Sequence, residues 1–225
     1  MRETAFIAAL AGLPLHPGAD GLRDDAAVLD ARAFLDADGS GAMVLTHDML
    51  AEGVHYRVGT DPFDIAWKLV AANLSDLAAK GAEPVGVLVG ASLGPDMDRF
   101  VAGLRAILMR YHVPLLGGDT IRPLGPASFG CTAVGRATVV PVPRRHGARV
   151  GDTVVLAGRV GAARLGFLAL EQGVEAGNCG EVIAAYLRPE PLLREGLALA
   201  PHVHAMMDIS DGLLLDARRM GEASD

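Results

Sequence analysis

The fold is decided by the stretch DPFDIAWKLVAANLSDLAAKGAEPVGVLVGASL, residues 61–93, which joins a helical pattern to a strand pattern. Asp61-Pro62 is a helix start signal, and Gly81 is a helix stop signal. From Pro84 to Leu93 the chain is an apolar run typical of a buried strand. Between the two signals, apolar residues recur at the spacing of one buried helix face: Ile65, Ala66, Leu69, Val70, Leu74 and Leu77.

The same alternation extends in both directions along the chain. We predict a strand over 42–46 with Asp48 at its exit, a helix over 96–111, a strand over 113–116 that enters Gly117-Gly118-Asp119, and a strand ending at Val140. Beyond these elements the patterns predict strands over 153–157 and 205–209, and helices over 162–171, 181–187, 192–200 and from Gly212.

This order of elements predicts an α/β or mixed α+β fold in two parts. The segment 141–147, PVPRRHG, is rich in proline and charge, as linkers often are. We therefore place an N-terminal domain at 1–140 and a C-terminal domain at 141–225.

Composition excludes several classes of protein. The chain has 225 residues, 51% of them hydrophobic and 21% charged, which suits a globular protein and excludes wholesale disorder. A net charge of −7 argues against a nucleic-acid surface, which needs a basic footprint. No run approaches the roughly 20 apolar residues that span a bilayer. The N-terminus lacks a signal-peptide pattern, and Cys131 and Cys179 lack metal-type spacing, so we expect a cytoplasmic protein with reduced thiols.

Five short acidic segments lie beside apolar runs or small residues. Carboxylates gathered in such places would repel one another unless a cation bound them. Hard oxygen ligands without paired His or Cys favour Mg²⁺ over zinc. The segments are 23–26 (RDDA), 46–49 (THDM), 73–76 (NLSD), 117–120 (GGDT) and 208–212 (DISDG).

Each segment also has an ordinary structural explanation. Asp24-Asp25 suits a turn or helix cap, and Asp48 suits a strand end. Asp76 lies four residues before Lys80 and would form a solvated ion pair on one helix face. Gly117-Gly118 suits either a tight turn or a close approach of backbone N–H groups to a phosphate. Only the co-occurrence of all five segments favours a binding site.

Taken in order, six motifs closely resemble the thiamine-monophosphate kinase family. This family belongs to the aminoimidazole-ribonucleotide-synthetase-like ATP-binding superfamily. The resemblance covers essentially the whole chain. The motifs are 24–28 (DDAAV), 47–56 (HDMLAEGVHY), 73–82 (NLSDLAAKGA), 116–120 (LGGDT), 147–152 (GARVGD) and 207–213 (MDISDGL).

The resemblance implies an enzyme that phosphorylates thiamine monophosphate to thiamine diphosphate with ATP and several Mg²⁺ ions. It implies an N-terminal domain with a mixed sheet, which in relatives pairs across a two-fold axis into a β-barrel homodimer, and an α+β C-terminal domain. It implies no general base, because the accepting phosphate oxygen is already ionised. The partners are then ATP and thiamine monophosphate, with no nucleic acid and no membrane.

The resemblance also assigns roles to particular residues. His55 matches a substrate contact. The positions that match ATP contacts are Gly118, Asp119, Arg145 and Ser210. The positions assigned to metal binding are Asp25, Thr46, His47, Asp48, Asp76, Asp119, Asp208 and Asp211.

Two features depart from the family pattern. His47 stands where the family usually has a small hydroxyl residue, so a metal contact there would use backbone oxygen. Family members also continue into a glycine-rich acidic segment that this chain lacks, from which we expect an incomplete C-terminal domain. Two alternatives stay open: a related ATP-dependent synthetase with another acceptor, and a nucleotide-binding module without catalytic activity.

Overall fold

The computed structural model describes residues 3–22, 27, 29–37, 39, 41–174 and 176–225. The chain divides into two compact units. The first unit comprises Met1–Ala33, Leu45–Asn73 and Pro84–Gly135, and the second comprises Phe34–Val44, Leu74–Glu83 and Arg136–Asp225. The predicted domain boundary after residue 140 stays a prediction.

The first unit contains most of a four-stranded mixed sheet and its helices. The strands are β1 (Met43–Ala51), β2 (Ala82–Ser92), β3 (Leu115–Ile121) and β4 (Ser128–Ala137), in the spatial order β1-β4-β2-β3. Strand β2 pairs with β3 in parallel, with Val89 opposite Gly118 and Gly90 opposite Asp119. The helices are α1 (Glu3–Leu10), α2 (Pro62–Ala78) and α3 (Met97–Tyr111).

Aromatic contacts connect the helices of the first unit to one face of the sheet. The ring of Phe100 on α3 stacks on Phe129 of β4, with ring centroids 4.7 Å apart. The ring centroids of Phe6 of α1 and Phe100 lie 6.4 Å apart, with the two rings tilted by 40°. Trp67 of α2 meets Tyr111 of α3 edge-on at 6.5 Å. One face of the sheet is therefore covered by helices, and alternate strand residues point to the other face.

The second unit is mainly helical. Its helices are α4 (Ala162–Glu171), α5 (Ala176–Leu187), α6 (Leu193–Leu199) and α7 (Leu213–Ser224). Phe167 of α4 meets Tyr186 of α5 edge-on, with ring centroids 5.4 Å apart. Gly196 of α6 packs against the backbone of Ala78, where a Cβ would lie 2.2 Å from the carbonyl oxygen.

The predicted α/β class is confirmed, and the helices predicted from residue 61, over 96–111 and over 162–171 form close to their predicted bounds. The strand bounds differ more, and the strand predicted to end at Val140 is β4, which ends at Ala137. Strand β1 continues to Ala51, so Asp48 lies inside the strand and not at its exit. Strand β3 begins at Leu115 and includes Gly117, Gly118 and Asp119, which therefore do not form a tight turn.

The strands predicted over 153–157 and 205–209 are wrong for this structure, in which neither described segment forms a strand. A strand needs a neighbouring chain to complete its hydrogen bonds. Val154 and Val155 are instead exposed. In the other segment, the Met206 N–H donates to the Arg144 carbonyl and the Met206 carbonyl accepts from Lys80. Helix α1 was not predicted, because its apolar stretch is short.

Close packing of α4 on α5 gives a first testable prediction. Gly166→Ala would place a Cβ 1.9 Å from the backbone carbonyl oxygen of Val182. Because backbone cannot move aside as a side chain can, we expect a loss of about 1–3 kcal/mol of unfolding free energy. Denaturant unfolding, followed by a signal from the second unit, measures the loss.

Gly180→Ala on α5 is the matched control. Among the described residues, nothing lies within 4 Å of a Cβ at this position. The alanine should therefore stabilise the helix by about 0.5–1 kcal/mol, its propensity advantage over glycine. Equal effects of the two substitutions would contradict the packing of α4 on α5.

Candidate functional site

The helices that make the aromatic contacts pack on one face of the sheet in the first unit. A cleft of about 670 Å³ lies on the opposite face. Residues from the N-terminal part of the chain, among them Leu10 and Leu22, form its other wall. Its floor includes strand residues two apart, whose side chains share one face of the sheet, together with neighbours such as Val89 and Gly118. The residues two apart are His47 and Met49 of β1, Leu88 and Gly90 of β2, Gly117 and Asp119 of β3, and Gly130 and Thr132 of β4.

Two of the cleft-lining residues of β3, Gly117 and Gly118, have no side chain. At Gly118 a Cβ would lie 1.9 Å from the Val89 carbonyl oxygen, so only glycine fits beside β2. The next residue, Asp119, is exposed at the cleft and its carboxylate accepts the N–H of Thr120 at 2.8 Å. A backbone without side chains next to a carboxylate suits a phosphate that binds together with a metal ion.

His47 and Asp48 point to opposite faces of β1. The His47 ring lies in the cleft, where its Nδ1 is 2.8 Å from Thr132 Oγ1. The Asp48 carboxylate lies on the other face, near the buried thiol of Cys131, whose pKa is raised by burial and further by Asp48. Thr46 shares the Asp48 side of the strand.

Asn73, which is completely buried, connects helix α2 to β1. Its Oδ1 accepts the Asp48 N–H at 3.1 Å, and its Nδ2 donates to the Leu69 carbonyl at 2.9 Å. This amide fixes the backbone that carries Asp48. The sequence selected Asn73 only as part of the segment that ends at Asp76. Its hydrogen-bond partner, the Asp48 N–H, lies 25 residues away in the chain and could be identified only from the structure.

His55 is held by the turn that follows β1. Its ring Nδ1 accepts the Ala51 N–H at 3.0 Å, and the backbone N–H of His55 donates to the Ala51 carbonyl at 2.9 Å. Because Nδ1 is the acceptor, the neutral ring carries its proton on Nε2. Tyr56 anchors the turn through a 3.0 Å hydrogen bond to the Ala127 carbonyl, and burial raises the pKa of Tyr56 to about 12.

In the second unit, Lys80 lies among charged residues that the sequence selected separately. Its Nζ donates to the Met206 carbonyl at 3.2 Å. Burial lowers the pKa of Lys80, the carboxylates of Asp208 and Asp76 act to raise it, and Arg145 and Arg144 act to lower it further. The expected solvated pair of Asp76 and Lys80 is therefore part of a larger, half-buried cluster.

The turn at 210–212 is held by Asp216, a residue that the sequence analysis did not select. Asp216 Oδ2 accepts the N–H groups of Ser210, Asp211 and Gly212 at 3.0, 2.9 and 3.1 Å. Burial would raise the pKa of Asp216, but these donors and Arg219 together lower it. The sequence signal was available: an acid in the first turn of a helix that begins after glycine.

The predicted metal site is not assembled in the part of the chain that the structure describes, where no three His, Cys, Asp or Glu side chains form a group able to hold an ion. Asp24 and Asp25 lie outside the described residues. The donor chemistry nevertheless fits Mg²⁺, because Asp76 and Asp208 supply the hard carboxylate oxygen atoms that this ion prefers. The residue roles stay predictions.

No helix among the described residues combines the length and apolar character that a membrane span requires.

Comparison with known proteins identifies the family. A family model for AIR synthase related protein, N-terminal domain, matches residues 23–137. The chain belongs to this family.

Similar proteins add a narrower resemblance. The thiamine-monophosphate kinase of Caulobacter vibrioides is 37% identical over 213 residues, which are 92% of this chain and 58% of that protein. The crystal structure of thiamine-monophosphate kinase from Stenotrophomonas maltophilia K279a is 34% identical, with a TM-score of 0.81, and the match covers 97% of this chain and 70% of that chain. A structure of AaThiL complexed with AMPPCP and TMP is 28% identical, with a TM-score of 0.77, over 89% of this chain and 64% of that one.

These comparisons confirm the resemblance that the motifs indicated. They also show how much of such a relative this chain covers: it spans 58% of the length of the Caulobacter protein.

The Asn73 amide generates a second prediction. Asn73→Ala should destabilise the protein by about 1–3 kcal/mol, because the part-buried Asp48 N–H and the carbonyl of the buried Leu69 each lose a side-chain partner. Thermal and denaturant unfolding measure this loss. Ser75→Ala, on the same helix, is the control and should change stability by less than about 0.5 kcal/mol. If the two substitutions cost the same, Asn73 does not fix β1 as described.

Proposed function

We propose that this chain carries the site for ATP-dependent phosphorylation of thiamine monophosphate to thiamine diphosphate, by direct transfer to the substrate phosphate. The observation that carries the proposal is the cleft in the first unit, which is lined by Gly117, Gly118 and Asp119 of β3. It occurs in a chain that is 37% identical to a thiamine-monophosphate kinase. The AaThiL structure with AMPPCP and TMP supports a nucleotide and a phosphate acceptor as the two ligands.

The transfer needs positioning and charge neutralisation more than covalent chemistry by the protein. We propose ATP contacts for Gly118, Asp119, Arg145 and Ser210, and an acceptor contact for His55. The acceptor oxygen is already ionised at neutral pH, so no general base is assigned.

Mg²⁺ would supply neutralisation of the phosphate charges when bound. Aspartate oxygens can hold it, and His47 would contribute backbone oxygen, because its ring is engaged with Thr132. The full proposed set is Asp25, Thr46, His47, Asp48, Asp76, Asp119, Asp208 and Asp211.

The working form that we propose is a cytoplasmic homodimer. On the open face of the sheet, Leu45 is 59% exposed and lies outside the residues that line the cleft. An apolar sheet face of this kind suits a second copy of the chain. A nucleic-acid partner is disfavoured by the net charge of −7.

The decisive experiment measures ADP release with ATP and thiamine monophosphate in the presence of Mg²⁺. We expect ADP only when all three are present, and its loss on chelation of Mg²⁺. Asp208→Asn should lower the rate at least about tenfold, since each lost charge-assisted contact costs on the order of 1–3 kcal/mol. Asp30→Asn, at an exposed carboxylate paired with Arg32, is the control.

A panel of other phosphate and carboxylate acceptors distinguishes the alternatives. Faster ADP release with another acceptor would favour a related synthetase. Mg²⁺-dependent nucleotide binding without ADP release from any acceptor would favour a binding module, and either result would contradict the proposed activity.

A further prediction separates the two ligand sites. Arg145→Ala should weaken AMPPCP binding by about 1–3 kcal/mol, because a guanidinium that contacts phosphate is lost. His55→Ala should leave AMPPCP affinity nearly unchanged and raise the KM for thiamine monophosphate. Isothermal titration and steady-state kinetics measure the two effects.

Arg159→Ala is the matched control for Arg145 because Arg159 forms an exposed ion pair with Glu181 in the same unit. It should leave both ligands unaffected. Unchanged AMPPCP affinity in Arg145→Ala would remove Arg145 from the proposed ATP site.

A further inference from the structure

The turn before α7 directs consecutive backbone N–H groups at one oxygen atom. Those of Ser210, Asp211 and Gly212 lie 2.9–3.1 Å from Asp216 Oδ2. Gly212 has φ 114° and ψ 146°, a conformation that favours glycine. Converging N–H groups in front of a helix are the geometry with which proteins bind phosphate. In this chain an internal carboxylate occupies that position.

The carboxylate is fixed from both sides. The Asp216 side chain is 1% exposed. Its second oxygen, Oδ1, accepts from Arg219 Nη1 at 2.8 Å, and the same Nη1 donates to Asp211 Oδ2 at 2.5 Å. Arg219 thus connects the buried anchor to the exposed carboxylate of Asp211.

This arrangement limits how a ligand can use the turn. A phosphate could reach the three N–H groups only by displacing a buried carboxylate that has charge-assisted partners, which is costly. The side chains of Ser210 and Asp211 are exposed. A ligand at this turn would therefore meet the Ser210 hydroxyl and the Asp211 carboxylate, and not the backbone.

We propose that Asp216 is a positioning residue, which fills the anion position of the turn with its own carboxylate and so presents the side chains of Ser210 and Asp211 to the Mg²⁺-nucleotide. This inference rests on the proposed function. It assigns a role to Asp216 and Arg219, which carry none in the ligand sets above, and it makes Ser210 a hydroxyl contact.

The test has one arm that needs no activity. In Asp216→Asn, amide hydrogen exchange of residues 210–212 should become at least about tenfold faster, because the charged acceptor is lost. Amides of α4 and α5 should keep their parent rates, which shows that the unit stays folded. Glu222→Gln, which removes an exposed partner of Arg218 on the same helix, should change none of these rates.

The second arm measures AMPPCP affinity with Mg²⁺ in the parent, Asp216→Asn, Ser210→Ala and the double variant. If Asp216 positions Ser210, each single substitution weakens binding several-fold and the double variant is no weaker than the worse single one. A general loss of stability would instead give additive effects. Ser210→Ala should leave hydrogen exchange at the turn unchanged.

Additive losses, or unchanged exchange in Asp216→Asn, would overturn the inference. A parent chain that binds no AMPPCP would contradict the proposed function and the nucleotide part of this inference together. In that case, hydrogen exchange alone still decides whether Asp216 holds the turn.

Discussion

Burial of helix α2 is the constraint on which both units depend. Leu69 and Val70 in the first unit and Leu74 and Leu77 in the second have no exposed surface. Burial of each such side chain contributes roughly 1.5–3 kcal/mol. Asp61 fixes the start of the helix by accepting the Phe63 N–H at 2.9 Å, and it also pairs with Arg99. Because so many of its apolar side chains are buried, the helix cannot turn about its own axis. Its orientation about that axis determines where its polar residues point.

The polar residues of α2 are placed by that orientation. Asn73 can be completely buried because both ends of its amide have backbone partners. Asp76 lies three residues after Asn73, and Lys80 lies four residues after Asp76. Both belong to the second unit. There Lys80 is half-buried, which lowers its pKa, while Asp208 and Asp76 compensate part of the cost of its charge. The carboxylates proposed to hold Mg²⁺ thus already neutralise one cation.

The sequence predicted what depends on local patterns. Helix α2 followed from the spacing of its apolar residues. The acidic motifs selected Asp76 and Asp208, and the family resemblance selected Arg145; all three act electrostatically on Lys80 in the structure. Errors arose where a pattern needs a distant partner. Residues 153–157 have a strand-like composition but expose Val154 and Val155, and the role of Asn73 depends on β1. Asp216 is different, because its partners lie within six residues, and a search for acids in first helical turns would have found it.

The backbone of the two units is arranged differently at the segments proposed to meet anions. In the first unit, glycines remove side chains from β3 and leave the backbone open in a cleft. In the second, a turn with the geometry of a phosphate site is closed by Asp216. An unfilled turn of that kind would compete for the phosphates with the glycine strand. Since it is filled, that turn offers its backbone N–H groups to Asp216 and not to a ligand, and the roles proposed for Ser210 and the aspartates beside it rest on their side chains. Phosphate and carboxylate repel each other, so positive charge from Arg145 and Mg²⁺ would be needed wherever phosphate meets those carboxylates. The same need follows from the net charge of −7, because the protein is proposed to bind two anions.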